Sequence, residues 1–484
     1  MDAESPHRRN SCKRRNTHQD AFLSSLKLPC GKVVQNRFVK AATYEHLASY
    51  FGGPPNEEHL QLYRRWSRGH WGMVITGNVQ VSPRHLTLGA DMVVPEVLSA
   101  ESMAPWKVLA RAMKGEMDGL DEPRPFAIMQ LSHAGRQSTN FIGGRMPFVP
   151  PLAPSSIRLG STSKDGYIAR VLYRILFQTP RAMSKTDIED VVACFVRGAR
   201  LASESGFNGV QLHAAHGYLI SQFILRKTNV RQDDFRSPLA FLETIVRRIR
   251  EVVPSDFALG IKLNAGDYIG GELGEDAKNH LLEIASWGLV DWIEISGGDY
   301  ENPDFMAKSD NSTRQAFFAK FSKMAMELYS SNEASSSPRP LVMLTGGLRT
   351  RAQFTSAIRN GDAHLLGLAR HAISQPDLPL LLEKHSNIDD DEDLGDKIEL
   401  GEGSTSPEPR SPTWWPRLVG AGIGMAWYTI GMRRIAVGKP LPIGRWWVLI
   451  LLEMYFGELG VRIITSTLVS LLCIALYFLN KLII

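Results

Sequence analysis

A chain of 484 residues that is 44% hydrophobic and 22% charged can bury a large core and still carry extra segments. Its net charge of +5 is small for that length and gives no argument for a nucleic-acid partner. The four cysteines, Cys12, Cys30, Cys194 and Cys473, follow no metal or redox spacing, so neither a disulfide framework nor a metal site is expected, and a reducing compartment is the default.

In chain order, residues 1–25 read as a disordered basic tail containing Arg8, Arg9, Lys13, Arg14 and Arg15, with no apolar stretch of the secretory-leader kind. Eight short apolar runs then recur: Phe38–Ala42, Met73–Asn78, Phe126–Leu131, Gly209–His213, Leu259–Leu263, Trp292–Ser296, Leu341–Thr345 and His364–Leu368. Helical periodicity lies between most of them. Ile188–Ser205 is the clearest case, with Ile188, Val191, Val192, Phe195, Ala199 and Ala202 on one face, and Glu243–Val252 and Ala277–Trp287 read similarly. Strands alternating with helices imply a parallel sheet, and eight strands close a barrel. The expected fold is α/β: a TIM (β/α)8 barrel over residues 26–385, with a capping insertion after strand 3 and a C-terminal helical/transmembrane extension. A doubly wound open sheet fits less well, because no GxGxxG follows the first strand.

The capping insertion is the Pro- and Gly-rich stretch Ser132–Pro180, expected as a cap or small hairpin over the barrel mouth. Residues 386–412 form an acidic, Ser/Pro-containing linker, and 413–440 a helical segment. Residues 441–484 read as membrane-associated, with Trp446 and Trp447 suited to an interface or to packing on the barrel. The run Ile463–Phe478 carries no charge, which makes 463–479 a candidate transmembrane helix; a packing helix is the alternative.

The stretch Gly206–Gln222, GFNGVQLHAAHGYLISQ, places His213, His216 and Tyr218 just past the end of a strand. Chemistry in α/β proteins gathers there. Two imidazoles and a phenol can hydrogen-bond a carbonyl or phenolate oxygen and deliver a proton. As core or metal-ligand residues they would need no such role, but no Cys or carboxylate cluster lies near in sequence to complete a zinc site.

GFNGVQLHAAHGYLISQFI resembles the substrate-binding signature of the Old Yellow Enzyme family of flavin-dependent oxidoreductases. Further segments are similar in the same order: Asn36–Ala42 (NRFVKAA), Gln130–Arg136 (QLSHAGR), Asn229–Asp233 (NVRQD), Ile293–Gly298 (IEISGG), Gly346–Arg349 (GGLR) and Gly367–Arg370 (GLAR). The resemblance spans about Leu26 to Pro379, and beyond the linker Ala426–Gly438 is similar to a helical C-terminal segment of the family. It implies FMN as cofactor and NAD(P)H as reductant. By resemblance, Ala41, Ala42 and Thr43 border the flavin, Gln130 meets its pyrimidine edge, and Lys262 stands where the family usually has Arg to stabilise the anionic reduced ring. Gly346, Gly347, Ala369 and Arg370 form the phosphate site after strands seven and eight.

His213 and His216 would hold the carbonyl oxygen of an enone-like substrate, and Tyr218 would protonate its α-carbon. Two departures stand out. Thr43 and Tyr44 occupy places where the family normally has Met then Thr or Cys, which puts Tyr44 beside flavin or substrate. The segment after Asp233 lacks the family's paired glycines and is about four residues shorter. The expected function is an NAD(P)H-consuming, FMN-dependent ene-reductase. The alternatives are a biosynthetic dehydrogenase or isomerase acting on a specialised enone, and a degenerate membrane-tethered barrel acting as a binding protein. A small-molecule substrate and the membrane are the expected partners, an oligomer is left open, and the barrel is expected to face the cytosol from a C-terminal anchor.

Overall fold

The computed structural model describes residues 20–119, 125–160, 167–268, 273–297, 311–331, 338–384, 417–442 and 446–483, with the side chains of 168–169, 266–267, 273–274, 311–317, 417–421 and 469–483 outside that description. The strands β1 (Phe38–Lys40), β2 (Met73–Gln80), β3 (Phe126–Ser132), β4 (Gly209–Ala214), β5 (Ala258–Asn264), β6 (Trp292–Ser296), β7 (Leu341–Thr345) and β8 (Leu365–Leu368) pair in parallel, each with its neighbour in sequence. The ring closes where Leu366 pairs with Phe38 and Val39 with Met73. This is the expected eight-stranded barrel. Its strands read as near-continuous apolar runs because both faces are covered.

The helices α1 (Glu57–Ser67), α2 (Ala100–Met113), α3 (Lys185–Glu204), α4 (Ala240–Arg250), α5 (Leu273–Ser286), α6 (Asn311–Ser331) and α7 (Arg351–Arg359) cross between successive strands. Local chemistry starts several of them. Ser184 caps α3 by accepting from the Asp187 backbone N–H, while the Asp187 side chain accepts from the Ser184 N–H.

Inside the barrel, Val39, Met73, Ile75, Ile128, Ala258, Trp292, Met343 and Leu365 form a buried layer near the strand starts. Trp292 needs Gly260 on the next strand, since a Cβ there would lie 2.0 Å from the indole. Leu28 and Val34, from the antiparallel pair Leu26–Lys27 and Val33–Val34, join this layer, and the Cys30 N–H donates to Asp291 just ahead of β6. The barrel is thereby stoppered at the end remote from the strand C-termini.

The basic tail ends earlier than expected. Phe22 is fully buried against Phe38 and Phe354, at centroid distances of 5.2 and 6.1 Å, and Asp20 pairs with Arg351. An aromatic side chain in the core fixes residues 20–25 to the barrel; residues 1–19 lie outside the described residues. The capping insertion, expected as a cap or small hairpin, carries a parallel pair, Leu152–Ala153 with Arg181–Ala182, and a helix over Tyr167–Leu176.

The linker at 386–412 lies outside the described residues. The expected C-terminal helical segment is α8 (Arg417–Ala436), which buries Trp427 and Ile430. A final helix, α9 (Trp447–Ile483), returns along it and breaks at Gly457 (φ 70°). Ile450 and Met454 are buried and the Arg433 guanidinium donates to the Met454 carbonyl, so the first part of 441–484 packs on the fold rather than on a membrane. No helix among the described residues is long and apolar enough to cross a membrane. The expected transmembrane helix at 463–479 lies mostly among residues whose side chains are outside the description.

Candidate active site

The strand C-termini converge on a polar layer above the apolar plug. His213 on β4, Lys262 on β5 and Glu294 on β6 stand at one level, since Lys262 pairs with both His213 and Glu294 across the ladder. The Lys262 ammonium lies 2.9 Å from Glu294 Oε1, with both side chains buried. The Gln211 amide donates to Glu294 Oε2 at 2.6 Å. Two ionised groups at the barrel axis persist only as such a pair, because either alone would be a desolvated charge.

His213 and His216 converge beside this pair. His213 Nε2 is 3.3 Å from His216 Nδ1, and His216 Nε2 is 3.2 Å from Ser296 Oγ at the end of β6. The Ala215 backbone N–H donates to His213 Nδ1 at 3.3 Å, and the Gln137 amide donates to the His216 carbonyl at 2.8 Å. His216 has φ 57°, in the left-handed region, and Gly217 follows at φ 73°. That bend turns the chain so that the Tyr218 ring meets the His213 ring edge-on at 4.6 Å. Burial first, then the Lys262 charge, holds the His216 imidazole well below its ordinary pKa; His213 is depressed by burial, His216 and Lys262 in that order. Both are neutral rings, each with one N–H.

The expected flavin contacts are brought together in part. The Gln130 amide NH2 donates to Asn78 at 2.7 Å, which leaves its buried carbonyl oxygen without a protein partner. The Thr345 hydroxyl at the end of β7 and the Ser132 hydroxyl at the end of β3 are likewise buried and unpartnered. Gly346 and Gly347 follow at φ 106° and 78°, a backbone that L side chains rarely adopt, and a Cβ on Gly346 would meet nothing closer than 3.7 Å. The unpaired Gln130 oxygen on β3 fits the pyrimidine edge of FMN, and the open glycine turn after β7, beside the unpaired Thr345 hydroxyl, fits its phosphate. Ala369 keeps φ at −98°, so alanine is accommodated where the family has glycine, and Arg370 is exposed beside it. The Ala41 N–H donates to the Leu368 carbonyl, closing the barrel rim, with Ala42 next to it.

Thr43 and Tyr44 are each held by protein partners. The Thr43 hydroxyl accepts from Lys40 Nζ at 3.1 Å and lies 3.4 Å from the Met432 sulfur on α8. The Tyr44 phenol donates to Asp91 at 3.3 Å and lies 3.1 Å from His46 Nδ1. Its bulk is thus held at the rim by a buried carboxylate. The shortened segment after Asp233 is well anchored: Asn229 donates at 2.8 Å to the carbonyls of Phe223 and Phe235, and Arg231 pairs with Asp233 and donates to the Met183 carbonyl at 2.6 Å.

Residues 28–389 match the NADH:flavin oxidoreductase / NADH oxidase family. The chain belongs to that family. It is 38% identical over 369 residues to the NADH-dependent flavin oxidoreductase iliE of Neonectria sp. (strain DH2), covering 73% of this chain but 46% of that one. Against iliE of Hypocrea jecorina (strain QM6a) it is 35% identical over 366 residues, covering 73% and 86%. Its fold is shared with morphinone reductase (TM-score 0.58, 19% identity, 76% and 90% covered) and with the old yellow enzyme from Trypanosoma cruzi (0.56, 19%, 75% and 92%). As a member of the NADH:flavin oxidoreductase family, the protein is an NAD(P)H-dependent oxidoreductase whose flavin is FMN.

Four site residues escaped the sequence reading: Asn78, Gln211, Glu294 and Ser296. One signal was available for the last two. In Trp292-Ile293-Glu294-Ile295-Ser296, a carboxylate and a hydroxyl alternate with apolar residues, which places both on the face opposite Ile293 and Ile295.

Proposed function

We propose that this protein reduces the activated C=C bond of an α,β-unsaturated carbonyl compound. The observation that carries the reading is the convergence of His213 Nε2 and His216 Nδ1, 3.3 Å apart, beside the Tyr218 ring at the barrel mouth. Two ring nitrogens meeting at one point can hold a single carbonyl oxygen between them and draw electron density from the conjugated bond. FMN, when bound, supplies the hydride to the β-carbon. Tyr218 delivers the proton to the α-carbon, which a phenol is acidic enough to do for an enolate-like carbon. Neutral imidazoles suit the task, since they donate to the oxygen without adding a charge beside Lys262.

Anaerobic incubation of the reduced holoprotein with a panel of enones, followed by product analysis, tests this. Saturated carbonyl products are expected. Flavin that is bleached by NAD(P)H but not reoxidised by any enone would refute the reading.

The C-terminal placement belongs here as well. Phe456, Leu459, Ile463 and Leu468 on α9 are all more than half exposed and lead into the uncharged run ending at Phe478, which supports anchoring of the chain to a membrane with the barrel on the cytosolic side. The full chain should then pellet with membranes and resist carbonate, while a chain ending at Gly460 stays soluble and yellow. A full chain found in the soluble fraction rules the anchor out.

A further inference from the structure

The hydrogen-bond directions around His216 assign a role to Ser296. His213 Nδ1 accepts the Ala215 N–H, so the His213 proton sits on Nε2 and points to His216 Nδ1. His216 Nδ1 is then the acceptor, and its own proton sits on Nε2, donated to Ser296 Oγ. In this arrangement the pair shows an incoming oxygen one N–H and one lone pair. An enone carbonyl or a phenolate only accepts hydrogen bonds. It can be held by both rings only if His216 carries its proton on Nδ1 instead, which turns Nε2 into an acceptor. One proton leaves Nε2 and one joins Nδ1, so the ring stays neutral.

We propose that Ser296 is the positioning residue that lets His216 change tautomer when the substrate oxygen arrives, its hydroxyl accepting from Nε2 beforehand and donating to Nε2 afterwards. A hydroxyl is able to do both by rotating about its C–O bond; an amide or carboxylate oxygen in its place would only accept. This rests on the reading that His213 and His216 hold the substrate oxygen. The ring cannot avoid the exchange by becoming doubly protonated, because burial and Lys262 hold it neutral. Among the described residues, ionisable groups that face this cluster include His213, Tyr218 and the Lys262–Glu294 pair, which the variants below leave in place.

The test is titration of the oxidised, FMN-loaded full-length protein with a substituted phenol across a pH series, reading the long-wavelength charge-transfer band. With Ser296→Ala, FMN and its reduction by NAD(P)H should be retained. The phenol should bind about ten-fold more weakly, the order of one lost donor. The band should also appear only at higher pH, because a fixed His216 Nδ1 lone pair prefers the protonated phenol. Ser296→Thr keeps the hydroxyl and should stay within about three-fold of wild type. His216→Asn supplies an amide donor that needs no tautomer, at a positive φ that asparagine tolerates. In that background Ser296→Ala should cost nothing further.

Equal losses for Ala and Thr, an unchanged pH midpoint for Ser296→Ala, or the same loss in the His216→Asn background would each overturn the assignment. Absence of the band in the wild type would instead overturn the parent reading of the two histidines.

Discussion

Tyr218 and Lys262 give the sharpest expectations at the scale of single residues. Tyr218→Phe keeps the ring beside His213 and removes only the proton. Reduction of the flavin by NAD(P)H should be unchanged, while enone turnover falls by about 10²–10⁴-fold in stopped-flow reoxidation, the range for losing a positioned general acid. Lys262→Met leaves the Glu294 carboxylate buried with Gln211 as its remaining partner, and a loss of about 3–5 kcal/mol is expected in denaturant unfolding. Lys262→Met combined with Glu294→Met should recover much of that loss, since no lone charge then remains. His213, His216 and Tyr218 were legible in the sequence because they sit within six residues at one strand end. Glu294 and Ser296 were not, because their partners Gln211 and His216 lie 83 and 80 residues away, and only the barrel register joins them. For Thr43 and Tyr44, position after a strand did not say which protein groups hold the side chains; Lys40, Met432 and Asp91 do.

Among elements, the strands were the most legible part. Each of the eight apolar runs coincides with its strand to within two residues, because the outward face of every strand is covered by helices and stays apolar along its length. What sequence periodicity did not contain is the crowding inside the ring. Gly260 is there because Trp292 fills its side-chain space, so Gly260→Ala should overpack β5 against β6. A loss of about 1–3 kcal/mol, read as a lower midpoint in thermal unfolding, is expected, with Trp292→Phe restoring part of it. The association of α8 with the loop after β1 was equally invisible, since a long polar linker precedes the helix. Thr429 and Arg433 on α8 make that contact by donating to the Tyr44 and His46 carbonyls, and Trp427, buried on the same helix, fixes α8 to the chain that follows it by donating to the Pro442 carbonyl at 2.7 Å. Trp427→Ala should cost about 3–5 kcal/mol in the same measurement, and flavin affinity should weaken with it as the segment carrying Thr43 loses its support.

For the whole molecule, buried histidines set the acid limit. Burial brings His46, His59 and His133 down to about 3, and His85, His213 and His216 lie well below their ordinary value for the same first cause. The unfolded chain binds protons at these sites below about pH 6.5 while the folded chain does not. The contribution of these rings is therefore full above pH 6.5 and falls as pH drops from 6.5 towards 3, by about 1.4 kcal/mol per pH unit for each such ring. Thermal midpoints should decline between pH 6.5 and 5; a flat profile there would contradict the burial of these rings. The stopper formed by Leu28 and Val34 has a consequence for kinetics. With the far end of the barrel closed, the nicotinamide donor and the enone must reach the flavin through the same opening and cannot occupy it together. Steady-state rates should follow a substituted-enzyme pattern, with parallel lines in double-reciprocal plots and each reactant inhibiting competitively against the other at high concentration.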